Sequence, residues 1–146
     1  MVAYGFKKRF IDPIFSGLGY YEYINGNIPA PKRQTIRAIG KRRHARPGET
    51  IQLYTAMRTK QCRKLGDARC TRVNNIQLFF RGPAVKIDDW APMSLPDELD
   101  EFARSDGFEN WDGMKQFWLG EHGDGGFIQP FVGVLIQWEA IDANKT

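Results

Sequence analysis

The sequence has few of the residues that form disulfide frameworks and metal sites. Two cysteines and two histidines occur among its 146 residues. Cys62 and Cys70 are too few for a disulfide framework, and no cluster of His, Cys and Asp has the spacing of a zinc site. With only His44 and His122 available, no Ser-His-Asp arrangement is recognisable. We therefore predict reduced thiols, no metal and no cofactor.

Long hydrophobic runs are also missing. No segment approaches the roughly 18 consecutive apolar residues of a membrane span. The basic Lys7-Lys8-Arg9 is not followed by the apolar region of a signal peptide. We expect a soluble cytoplasmic protein without membrane association. The length suits one compact domain over residues 1–146, with residues 141–146 frayed.

Acidic residues are scarce in the first half of the chain. Residues 1–75 contain 16 Lys and Arg but 4 Asp and Glu, a balance of +12, whereas residues 76–146 contain 5 and 13, a balance of −8. A basic half that forms one surface would attract phosphate groups, which is the electrostatic signature of a nucleic-acid-binding protein. The alternative is that the two halves neutralise each other across the fold.

Short strands followed by two helices predict an α+β fold, a small and mostly antiparallel β-barrel with flanking helices. Alternating apolar residues and turn signals predict strands near Tyr4 and Phe6 and over residues 34–39, 50–55, 70–80, 84–87 and 127–138. A short helix is predicted from Asp12, as N-cap, to Gly17. Ser94 and Asn110 are predicted to cap the two later helices.

Residues 18–31 are predicted to form a loop, or a small hairpin at the Asn25-Gly26 turn. The segment contains Tyr20, Tyr21 and Tyr23 beside a strongly basic stretch. The three rings either stack on nucleic-acid bases or pack the loop onto the body of the protein.

The segment from Lys32 to Arg37 is the strongest candidate for a functional site. In an extended strand Thr35 and Arg37 share a face, and Lys32 lies just upstream. An amine, a hydroxyl and a guanidinium could therefore meet in one pocket. The alternative is a solvated basic strand edge, because lysine and arginine usually lie on surfaces.

The segment from Lys32 to Arg37 is one of an ordered set of motifs that together span most of the chain. The set comprises a first strand and helix ending at Gly17, Lys32-x-x-Thr35-Ile36-Arg37, Arg46-Pro47-Gly48-Glu49 before Leu53-Tyr54-Thr55, Glu101-Phe102-Ala103-Arg104 with Asp106-Gly107-Phe108, and Phe131-x-Gly133-x-Leu135-Ile136-x-Trp138. In these features the chain resembles the ASCH domain family of the PUA-like superfamily. The resemblance implies a PUA-like β-barrel related to RNA-binding modules.

One branch of that family consists of N4-acetylcytidine amidohydrolases. The resemblance to it implies catalytic roles for Lys32 and Thr35, and for Asp106 where the family carries a glutamate. Such a site hydrolyses the amide of an N4-acylated cytidine with a base, an oxyanion donor and a carboxylate. Compared with the family, residues 18–31 are an insertion before Lys32.

The alternative is a binding protein without catalysis, whose partner is RNA or DNA rather than a modified nucleoside. Other ASCH proteins are thought of as nuclease-like, so the resemblance also allows a nuclease-like function. The candidate binding residues are Arg37, Lys41, Arg42, Arg43, Arg46, Arg58, Tyr20 and Tyr21. The arginines and lysines would contact phosphates, and the tyrosines would stack on bases. In a third interpretation, a protein partner binds the acidic residues of the later helices, which include Asp97, Glu98, Asp100 and Glu101.

Overall fold

The computed structural model describes residues 2–122 and 130–141. The strands are β1 Val2–Phe6, β2 Gln34–Ala38, β3 Thr50–Thr55, β4 Arg63–Phe79, β5 Ala84–Ile87 and β6 Phe131–Ala140. The α-helices are α1 Ile11–Leu18, α2 Pro96–Ser105 and α3 Trp111–His122. Two 3₁₀ turns occur at Lys8–Phe10 and Tyr21–Tyr23. The predicted strand residues 127–129 and most of the predicted frayed tail, residues 142–146, lie outside the described residues.

The six strands form one mixed sheet, which confirms the α+β class. The strand order is β1-β3-β4-β6-β2, and β5 pairs with β4 beside this path. The β1–β3 pair is parallel and the other pairs are antiparallel. Between the two end strands, β1 and β2, the described sheet shows no backbone pairing. No helix within the described ranges is both long and apolar enough to cross a membrane.

Side chains join the two end strands where the backbone does not. Arg37 on β2 donates from Nη2 to the carbonyl of Gly5 on β1, at 2.7 Å. His44 donates from Nε2 to the carbonyl of Ala38 at 2.9 Å, and its Nδ1 lies 3.1 Å from the Tyr4 hydroxyl. The sheet is therefore curved enough to bring its first and last strands within reach of one side chain.

The core is a single cluster of apolar side chains between the curved sheet and the helices. Alternating residues of the strands face it, as shown by the fully buried Ile51 and Leu53 on β3 and Ile76 and Leu78 on β4. The helices α2 and α3 add Leu99, Phe102, Ala103, Trp111, Met114 and Trp118 to this cluster. Burial of the aromatic and aliphatic side chains there is the main source of stability.

The predicted bounds of β3 and β5 are confirmed, but the start of β4 is wrong. This strand begins at Arg63 rather than at residue 70, so residues 63–69, between the predicted strands 50–55 and 70–80, are also strand. Its first part pairs with β3 and buries only Leu65 and Ala68 among polar neighbours. The ladder of backbone hydrogen bonds, rather than apolar alternation, holds this part of the strand.

Three predicted helix caps are wrong and one is confirmed. The N-cap of α1 is Phe10 rather than Asp12, and its left-handed C-cap is Gly19, with φ 80°, rather than Gly17. Leu95 rather than Ser94 precedes α2. Asn110 caps α3 as predicted, because its Oδ1 accepts a hydrogen bond from the amide of Gly113 at 2.8 Å.

The segment 18–31 is a loop with a 3₁₀ turn, so the hairpin alternative is wrong. Tyr20 is half-buried and lies with its ring centroid 6.2 Å from that of Phe15 and 6.1 Å from that of Tyr23. Tyr21 and Tyr23 are at least half exposed. Tyr20 therefore packs onto the body of the protein, whereas Tyr21 and Tyr23 are largely exposed to solvent.

Candidate functional site

Lys32 lies just before β2, and its backbone is held by helix α1. Its amide donates to the carbonyl of Pro13 at 2.9 Å. The close approach depends on Gly17, where an added Cβ would lie 2.4 Å from the Lys32 carbonyl oxygen. The glycine therefore serves close packing inside the helix rather than the helix end predicted from the sequence. This packing directs the Lys32 side chain into the protein.

Asp106 is placed by the end of helix α2. It is the C-cap residue, and the following Gly107 has φ 97°, in the left-handed region that glycine tolerates. A Cβ on Gly107 would lie 2.9 Å from the ring of Phe10 and 3.0 Å from Cδ of Lys32. The chain therefore turns sharply against Lys32.

Lys32 and Asp106 form a buried pair, although they are 74 positions apart in sequence. Lys32 is 2% exposed and Asp106 is 5% exposed. Lys32 Nζ donates to the main-chain carbonyl of Asp106 at 2.5 Å and lies 3.5 Å from its Oδ1. Gln34 Nε2 donates to the same Oδ1 at 3.3 Å. The carboxylate thus has two donors from one face of the β2 segment.

Burial shifts both members of the pair toward their neutral forms. Loss of solvation lowers the pKa of Lys32 to about 8, although the negative charge of Asp106 opposes this shift. Burial likewise raises the pKa of Asp106, against the opposing effects of Lys32 and Gln34. Lys32 can therefore become a neutral amine only slightly above neutral pH, as a general base requires.

Thr35 and Arg37 lie on one face of β2, as predicted. Arg37 Nε donates to Thr35 Oγ1 at 3.0 Å, and Nη2 of Arg37 holds the Gly5 carbonyl. The guanidinium carbon lies 5.2 Å from the ring centroid of Tyr4 and 4.9 Å from that of Phe6. Because Thr35 Oγ1 accepts from Arg37, its own proton remains available for another acceptor.

These side chains line one cavity of about 230 Å³, which we call the Lys32 pocket. Its lining consists of Gly5, Phe6, Lys7, Phe10, Lys32, Thr35, Ile36, Arg37, Asp106, Phe108, Phe117, Trp118 and Glu121. Lys32 Nζ lies 4.7 Å from the ring centroid of Phe10 and 5.6 Å from that of Phe6. The pocket therefore combines aromatic walls with a small set of polar groups, the usual composition of a ligand site.

The solvent side of the pocket carries an ion pair between β1 and α3. Lys7 Nζ lies 2.5 Å from Glu121 Oε1, and both residues line the pocket. Arg9 covers the aromatic wall from outside, with its guanidinium carbon 4.9 Å from the ring centroid of Phe108 and 5.4 Å from that of Phe117. Charged side chains therefore surround an apolar entrance.

Seven of the eight predicted binding residues lie outside the Lys32 pocket. Only Arg37 is part of the Lys32 pocket, whereas Lys41, Arg42, Arg43, Arg46, Arg58, Tyr20 and Tyr21 do not line it. The guanidinium of Arg43 donates two hydrogen bonds, of 2.8 and 2.7 Å, to the carboxylate of Glu49. The pKa of Glu49 is lowered to about 2 by Arg43 and by the Arg46 amide. These seven residues therefore take no part in lining the Lys32 pocket.

Gln34, which contacts Asp106, and two aromatic residues that line the pocket were not predicted as part of a site. Gln34 was assigned only to a strand, and Phe117 and Trp118 only to the core. A signal existed for Gln34, because it lies two positions after Lys32 and shares its face in an extended chain. The aromatic residues gave no such signal, since a helix pattern does not distinguish a cavity wall from a filled core.

Within residues 2–122 and 130–141, no group of three or more His, Cys, Asp or Glu is arranged to hold a metal ion. Cys62 is exposed and Cys70 is buried, and both are free thiols. Comparison of the chain with protein-family models, with curated proteins and with solved structures finds no match.

Proposed function

We propose that the protein binds the base of a modified pyrimidine nucleoside in the Lys32 pocket and hydrolyses the amide of N4-acetylcytidine. The observation that carries the proposal is the burial of Lys32, Thr35 and Asp106, together with the half-buried Arg37, around one aromatic cavity. Its volume of about 230 Å³ lies below the roughly 300–1,000 Å³ of pockets for drug-sized ligands. The pocket therefore suits one flat base with its acyl group.

The reaction adds water to the acetyl carbonyl and releases acetate and cytidine. Neutral Lys32 takes a proton from the attacking water, and the resulting ammonium returns it to the N4 leaving group. Asp106 stabilises the ammonium, because its Oδ1 and main-chain carbonyl both face Nζ. Thr35 donates its free proton to the developing oxyanion, and Arg37 orients the Thr35 hydroxyl.

The direct test is an assay of purified protein with N4-acetylcytidine, in which chromatography follows the formation of cytidine. We expect kcat/KM to rise about tenfold per pH unit on the acid side and to level off above the pKa of Lys32, about 8. Below that pKa the amine is protonated and cannot accept a proton. Absence of cytidine, or a profile independent of pH between 6 and 9, would contradict the proposal.

We also propose that the curved sheet is the barrel implied by the ASCH resemblance, with Arg37 and His44 bridging the gap between β1 and β2. The free thiols of Cys62 and Cys70 suit a reducing compartment, and we place the reaction in the cytoplasm.

Nucleic-acid binding is the second candidate function, with RNA or DNA as the partner. It is favoured by the basic residues Lys41, Arg42 and Arg58, which are exposed and have no acidic partner within the described ranges. Each phosphate contact releases counterions, so we expect the affinity for single-stranded RNA to fall more than tenfold between 50 and 200 mM salt. Fluorescence anisotropy measures this, and salt-independent affinity would exclude a phosphate-based interface.

A further inference from the structure

A second groove adjoins the Lys32 pocket at the end of β1. It has a volume of about 400 Å³ and is lined by Gly5, Phe6, Lys7, Lys8, Thr55, Ala56 and Met57. The residues Gly5, Phe6 and Lys7 line both the groove and the pocket. A ligand that is larger than one base can therefore extend from the pocket into this groove, which we call the Lys8 groove.

The charges of the Lys8 groove have one sign. Lys7 and Lys8 contribute positive charge, and the lining contains no Asp or Glu. Lys7 is paired with Glu121, whereas Lys8 is exposed and has no acidic partner in the part of the chain that the structure describes. Lys8 is therefore free to bind an anion.

Another groove that adjoins the pocket lacks this excess of positive charge. It has a volume of about 630 Å³ and meets the Lys32 pocket at Phe108. Its cations, Arg9 and Arg104, are matched in number by the acids Asp12 and Glu109. An anionic part of a ligand in the Lys32 pocket is therefore attracted more strongly to the Lys8 groove.

The backbone beside the Lys8 groove is strained. Ala56, which lines the groove, has φ 52°, and Arg58 has φ 65°. Residues other than glycine rarely adopt these values, and such conformations cluster at ligand clamps. Arg58 is exposed and adds a third cation to this end of the sheet.

From these observations we propose that the Lys8 groove binds a phosphoryl group attached to the ribose of the base in the Lys32 pocket. The inference rests on the proposed function and narrows its substrate class from nucleosides to nucleotides. The small Lys32 pocket holds the base, so ribose and phosphate lie outside it. Lys8 then supplies a charge-assisted hydrogen bond to the phosphate.

Calorimetric titration of the full chain with cytidine and with cytidine 5′-monophosphate tests this inference. We expect the monophosphate to bind about three- to tenfold more tightly, the range for one exposed charged contact. In Lys8→Ala the difference should fall below about twofold, with cytidine affinity unchanged. The matched control Lys64→Ala removes an exposed lysine that lies outside both cavities and should keep the difference.

The outcomes separate the inference from the function on which it rests. Equal affinity for cytidine and its monophosphate, or a preference that Lys8→Ala leaves intact, would overturn the phosphate site but not the base pocket. No binding of either ligand, together with no turnover of N4-acetylcytidine, would overturn both. A single-stranded RNA that binds more tightly than the monophosphate, and depends on Lys8, would identify the phosphate as part of a strand.

Discussion

Replacing Lys32 by methionine should lower kcat/KM for N4-acetylcytidine by about a thousandfold, the scale of one general acid–base group. Methionine has a similar length and suits the rings of Phe6 and Phe10, which lie within 5.6 Å of Nζ. The change thus removes the base while it preserves the filling of the pocket. Steady-state kinetics at pH 8.5, where most Lys32 is neutral, gives the largest contrast.

The control for this prediction is Lys64→Met, which changes an exposed lysine outside the pocket. It should retain nearly full activity. Circular dichroism and urea unfolding must show that Lys32→Met remains folded, because the variant leaves Asp106 without its partner. A folded Lys32→Met protein with wild-type turnover would remove Lys32 from the mechanism.

Replacing Asp106 by asparagine should lower the free energy of unfolding by about 3 kcal/mol, because a buried ammonium then lacks its counter-charge. The double variant with Lys32→Met should be more stable than the sum of the two single changes predicts, by about 1 kcal/mol or more. The reason is that each single change leaves one buried charge without a partner, whereas the double change removes both charges. Urea denaturation at pH 7 measures all four corners of the cycle.

The stability cost of breaking the buried pair can be compared with that of breaking an exposed ion pair. Arg69 and Glu139 lie 3.2 Å apart with side chains about half exposed. Glu139→Gln should cost less than about 1 kcal/mol, since solvent screens exposed charges. If Asp106→Asn costs no more than Glu139→Gln, or if the cycle is additive, the buried pair is not coupled as its distances imply.

Local signals in the sequence predicted the elements that have their own caps and alternation. The strands β3 and β5 follow a clear pattern of apolar and polar residues, and Asn110 caps α3 through its own side chain. The start of β4 was missed because Arg63 and its neighbours are polar on both faces. Their strand conformation comes from pairing with β3, which is a tertiary contact.

The candidate site could be predicted in part. Lys32, Thr35 and Arg37 are close in sequence, and the family resemblance added Asp106, which the structure places against Lys32. The basic residues such as Lys41 were assigned to the same function from charge alone. Charge composition carries no information on position, and in the structure those residues do not line the Lys32 pocket.

The side chains that bridge β1 and β2 also affect how the protein meets other chains. An end strand offers unpaired carbonyls to any extended peptide, and this is how sheets join between molecules. Arg37 occupies the carbonyl of Gly5, and His44 occupies that of Ala38. Each end strand therefore lacks a continuous row of acceptors, so the residue that orients Thr35 also hinders intermolecular strand pairing.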